Sequence, residues 1–105
     1  MSRYLITYLG GNQPSTQEEG QHHFAKYKEW LRSIGDDVIS PANPLKHIHT
    51  ISPEGAVSES SRTSMSGFTI IEAESMFTAL DIAKACPFLD IGGSLEVAEL
   101  VQMPL

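Results

Sequence analysis

The first hydrophobic segment, Tyr4-Leu5-Ile6-Thr7-Tyr8-Leu9, is a short β-branched and aromatic run stopped by Gly10-Gly11-Asn12. It predicts a strand with both faces at least partly covered. After Pro14 the period changes. Phe24, Tyr27, Leu31 and Ile34, widened by Trp30, recur at three- and four-residue steps, the spacing of one helix face. Ser15 and Thr16 each stand three residues before a glutamate, Glu18 and Glu19, the spacing of a capping box that satisfies free N–H groups at a helix start. Gly35, tolerant of a left-handed C-cap, ends the helix at about Ile34.

Between Asp36 and Pro44, two prolines and Asn43 argue against a regular element. The alternation of Leu45, His47, His49 and Ile51 against Lys46, Ile48 and Thr50 then predicts a short second strand over 45–51. Residues 52–66 hold Ser, Glu, Gly and Pro with little apolar content and read as a mobile loop that is able to serve as a lid. The strand pattern restarts over 67–72. Ser75 caps a second helix with the stripe Met76, Ala79, Leu80, Ala83 and Cys86, which Pro87 ends at Cys86. Past Gly92-Gly93, residues 94–101 make a last strand. The order β-α-β-β-α-β is the ferredoxin-like α+β arrangement, a four-stranded antiparallel sheet with both helices on one face. Its other face is bare, and pairing two such sheets makes a dimeric α+β barrel.

Composition fits that picture and narrows the function. A chain of 105 residues with 41% hydrophobic content is the size of one domain, spanning 1–105, whose modest core gains from a partner subunit. No apolar run approaches a membrane span, and the start of the chain carries no signal-peptide pattern, which predicts a cytoplasmic protein. The single cysteine, Cys86, can form neither an intramolecular disulfide nor a thiolate metal cage. Thirteen acidic against seven basic residues give a net charge of −6, and past residue 62 one base, Lys84, faces six acids. Nucleic acid is thereby excluded as a partner. Neither glycine pair fits a phosphate-binding frame, so both read as turns and no nucleotide cofactor is expected. His47 and His49 share a strand side, but two ligands without a third make a poor metal site.

Of the remaining residues, His23 lies one step from the apolar stripe on the side of Tyr27 and Trp30, whereas His22 falls with Lys26 and Glu29 on the polar side. Two readings fit His23: a general acid or base, or a boundary histidine hydrogen-bonded within a dimer. Tyr8 and Tyr27 offer phenol donors or core packing. Cys86, at a helix C-terminus whose dipole opposes the thiolate, reads better as a small buried filler than as a nucleophile. Glu72 shares a strand face with Phe68 and Ile70 and reads either as a pocket carboxylate or as a group in solvent.

The segments Gly67-Phe68-Thr69-Ile70-Ile71-Glu72-Ala73, Ala83-Lys84-Ala85-Cys86-Pro87 and Gly92-Gly93-Ser94-Leu95-Glu96-Val97, with Tyr4-Leu5-Ile6 and Glu29-Trp30-Leu31-Arg32, resemble the YCII-related domain family. The resemblance implies a small dimeric α+β barrel, and a small enzyme built on a helix-one histidine and an aspartate near the end of the second helix. His23 matches the histidine, Cys86 stands at the aspartate, and Glu96 matches a family glutamate. The branch carrying Asp-Gly-Pro-Phe is matched only in part, since Ser60-Ser61-Arg62-Thr63-Ser64-Met65-Ser66 occupies that stretch. Two functions follow as expectations. One is a cofactor-free isomerase or lyase transferring a proton on a small organic molecule, with His23 as acid or base. The other is a non-catalytic dimeric module that binds a small ligand or a protein, its dyad lost at Cys86.

Overall fold

Thr16 opens the first helix: its hydroxyl accepts the Glu19 N–H at 3.0 Å. The Glu19 carboxylate turns back and accepts from the Ser15 N–H and hydroxyl at 3.0 and 2.6 Å. These bonds hold the Glu19 carboxyl below its usual range. The computed structural model describes residues 1–104, leaving Leu105 outside the described residues. Its elements are β1 (Ser2–Gly10), α1 (Gln17–Ile34), β2 (Val38–Pro44), β3 (Thr50–Ile51), β4 (Val57–Ser58), β5 (Met65–Ala73), α2 (Met76–Lys84) and β6 (Gly93–Glu99), with 3-10 turns at Gly35–Asp37 and Pro87–Ile91.

The main sheet has the order β2-β5-β1-β6 with every neighbouring pair antiparallel, which is the ferredoxin-like topology. Alternation along the strands divides the side chains between two faces. Tyr4, Ile6 and Tyr8 of β1 and Thr69, Ile71 and Ala73 of β5 point to one of them and are buried. Trp30 of α1, Ala79 and Ala83 of α2, and Cys86 close over that face. The Trp30 indole N–H donates to the Ile82 carbonyl at 3.0 Å, tying the two helices together on the same side. On the opposite face Leu5 sits between Ile70 and Ala98, and Thr7 between Phe68 and Glu96, with no layer of this chain over them among the described residues.

Several expectations are corrected. The second strand of the sheet is Val38–Pro44, not 45–51. It lies at the sheet edge, where a proline's missing N–H leaves no ladder bond unmade, and its register shifts between Ser40 and Asn43 at Pro41. Residues 45–51 supply only β3. The stretch 52–66 expected to be a mobile loop supplies β4 and the first two residues of β5, and β4 pairs back on β3 as a hairpin, with Thr50 opposite Ser58 and Ile51 opposite Val57. His47 and His49 therefore lie on a connection rather than a strand, His47 with a left-handed φ of 57° and its carbonyl 2.9 Å from the His49 Nδ1. The second helix ends at Lys84, so Cys86 follows it in extended conformation. Phe24 and Leu80, placed on the helix stripes, are 58% and 39% exposed. The glycine pairs do turn the chain, with Gly10, Gly11 and Gly92 at positive φ, but they also seat an aromatic ring. A Cβ on Gly93 would lie 2.1 Å from the Phe88 ring, and one on Gly11 2.7 Å from it.

Candidate functional site

Phe88, pressed onto those two glycines, forms one wall of a cleft at the end of the helix layer. Its ring centroid is 5.2 Å from that of Tyr8, and Tyr8 meets Tyr27 edge-on at 6.0 Å. Phe24 and Pro44 flank the mouth, and the space between is about 240 Å³. Such walls suit a flat ring of one-ring size. The Lys28 ammonium lies 5.0 Å from the Phe24 ring centroid, which explains in part how so exposed an aromatic is kept at the mouth.

Behind the cleft lies a buried cluster of hydroxyls. The Tyr8 phenol contacts the Tyr27 phenol at 2.5 Å and also the Thr69 hydroxyl. Tyr27 and Thr69 are 3.0 Å apart, and both donate to the Pro41 carbonyl, Thr69 at 2.7 Å and Tyr27 at 3.2 Å. The three hydroxyls make five contacts, all inside the cluster, of which their three protons bridge three at a time. Burial drives the Tyr8 phenol well above its ordinary range, reinforced by Tyr27 and opposed by the bond to Thr69. Phenolate chemistry at Tyr8 is thereby disfavoured, and the hydroxyls stay neutral beneath a mainly apolar lining.

His23 of α1 lines both this cleft and a second one of about 320 Å³, to which several polar residues contribute. The second cleft is lined by Asn12, Gln13, Lys26 and Asp90, with His22 and Glu19 beside them. The His23 side chain lines both clefts, and its imidazole makes no hydrogen bond or ion pair among the described residues. An imidazole placed so is able to take a proton from, or give one to, a ligand seated against the aromatic walls. His22, expected on the solvated side only, is exposed but borders the polar cleft as well.

The other sequence candidates divide. Tyr8 and Tyr27 join His23 at the aromatic cleft. Cys86 is 2% exposed beneath the turn that carries Phe88, and burial, helped by Asp90 and opposed by the Phe88 N–H, pushes its thiol up to about 11. Glu72 and Glu96 are not brought to His23. They stand on the uncovered sheet face, Glu72 beside Arg3 at 3.6 Å and Glu96 opposite Thr7. Among the described residues no group of three or more His, Cys, Asp or Glu is arranged to hold a metal ion. Phe88, Lys26 and Asp90 border the site without having been anticipated, and Thr69 lies buried behind it. The two glycine pairs were a signal for Phe88, since strand-end glycines mark close approach as well as turns.

No family model matches the chain, and no curated protein matches it. Among solved structures the chain is similar to 5-chloro-2-hydroxyhydroquinone dehydrochlorinase from Burkholderia phenoliruptrix AC1100, solved as a complex with 2,5-dihydroxybenzoquinone. The TM-score is 0.57 at 20% identity, and the match covers 96% of this chain and 95% of that one. The class this defines is structural: an α+β chain of ferredoxin-like topology that shares its fold over nearly its whole length with a small-molecule enzyme. No helix among the described residues is long and apolar enough to cross a membrane.

Proposed function

We propose that the chain is a small cofactor-free enzyme of the isomerase or lyase kind, which moves a proton on a small ring compound with His23 as general acid or base. One observation carries this reading: an imidazole without a hydrogen-bond partner in the lining of an aromatic-walled, one-ring cleft. The fold is shared with a protein named as a dehydrochlorinase, a lyase-type activity on a hydroxylated ring. Membership of the YCII-related domain family, a cytoplasmic setting and a face-to-face homodimer belong to the same proposal. Leu5, Phe68 and Ile70 on the uncovered sheet face support the dimer, since an apolar face of this kind favours a partner.

The test is turnover of a panel of hydroxylated and chlorinated hydroquinones by the unaltered chain and by His23→Gln. Removal of a general acid or base lowers the rate by about 100-fold or more. Equal rates would remove His23 from the chemistry.

A non-catalytic ligand-binding module is the second reading, favoured by Cys86. A buried thiol held protonated to about 11 supplies no carboxylate to orient an imidazole. Saturable binding of 2,5-dihydroxybenzoquinone at His23, with no turnover of any ring in the panel, is what that reading predicts.

A further inference from the structure

The Pro87–Ile91 turn brings a carboxylate to the cleft in which His23 stands. Asp90 and His23 line the same cleft, and the ammonium of Lys26, three residues beyond His23 and its neighbour on the helix surface, lies 3.9 Å from Asp90 Oδ2. That separation is an ion pair too long for a direct hydrogen bond. The two side chains are 50% and 64% exposed, so a change of partner costs little. The titratable groups around His23 are Glu19, His22, Lys26 and Tyr27 on α1, Tyr8 on β1, and Asp90 on the turn. Glu19 is committed to Ser15, and the two phenols to each other and to Thr69. Asp90 is the carboxylate of this lining that is held by nothing firmer than a loose ion pair.

We propose that Asp90 is a positioning residue for His23, stabilising its imidazolium and turning its ring, in competition with Lys26 for the same carboxylate. The proposal rests on reading His23 as the acid or base of the site. It adds a control to that reading: the state of the imidazole follows which partner Asp90 takes. An Asp90 drawn to Lys26 leaves His23 more readily neutral, fit to abstract a proton. An Asp90 turned to His23 favours the charged ring, fit to return one.

The test needs no turnover. Only a neutral imidazole attacks diethyl pyrocarbonate, so the rate of carbethoxylation at His23, followed by peptide mass at about pH 6.5, reads its neutral fraction. His49, on the connection before β3, is the internal reference. We expect Asp90→Asn to react about threefold faster at His23 and Lys26→Met about threefold slower, the size set by partly exposed charges, with Asp90→Glu restoring the original rate. A pair that merely pins the turn to α1 would change His23 in the same direction in both variants, and that result overturns the proposal, as does an unchanged rate in either. Absence of turnover would defeat the enzymatic reading while these rates still decided the role of Asp90.

Discussion

Cys86 illustrates how burial alone decides the chemistry of a side chain. The residue lies outside α2, so no helix dipole accounts for its inertness, and desolvation is the first cause of its raised thiol. Between pH 9.0, the ordinary thiol value, and about 11, the folded chain keeps a proton that the unfolded chain gives up. Stability from this group is therefore fully present below pH 9.0 and is lost as the pH rises through about 11. Urea unfolding across that window is expected to show a falling free energy in the unaltered chain and a shallower fall in Cys86→Ala. Gly93 allows a prediction of a different kind. A methyl group there meets the Phe88 ring at 2.1 Å, so Gly93→Ala displaces the wall of the aromatic cleft. The expected cost is about 1–3 kcal/mol in unfolding measurements, with weakened binding of 2,5-dihydroxybenzoquinone. Unchanged binding would show that Phe88 does not shape the ligand site.

The elements were legible where local chemistry and periodicity agree. The Thr16 cap, the Gly35 stop and the Tyr27-Trp30-Leu31-Ile34 stripe all recur in α1, and Thr16→Ala should cost about 1 kcal/mol in thermal or urea unfolding. Loss of much less would mean that Glu19 and Ser15 hold the helix start by themselves. Phe24 belongs to the same spacing but falls where the helix overhangs the cleft, and periodicity does not distinguish a core position from a cleft mouth. The β2 strand was hidden because its prolines are forbidding only in a strand paired on both sides, and edge position is a property of the assembled sheet. The site was legible to the same degree. His23 and Tyr27 announce themselves by helix spacing. Asp90 and Phe88 lie on a 3-10 turn with no period to read, and reach the site only because Pro87 redirects the chain after Cys86. Glu72 keeps the face that alternation gives it, with Phe68 and Ile70, but that this face lies away from the helices and His23 is a property of the assembled sheet.

For the whole molecule, the two faces of the sheet divide the tasks. The helix-covered face carries the core and, at one end, the clefts. The other presents Leu5, Phe68 and Ile70 between the Arg3–Glu72 pair and Glu96. If two copies meet there, light scattering will give twice the chain mass at micromolar concentration, and Ile70→Lys will give a folded monomer. A monomeric unaltered chain contradicts that arrangement and leaves the clefts as they are. The central claim is that the clefts at His23 host proton transfer on a small ring, and it is tested most directly by the ratio of kcat/KM between the unaltered chain and His23→Gln on a hydroxylated ring substrate. The expected ratio is about 100 or more, with 2,5-dihydroxybenzoquinone still bound by the variant. A ratio near unity, or no turnover by the unaltered chain of any ring that binds, would contradict it.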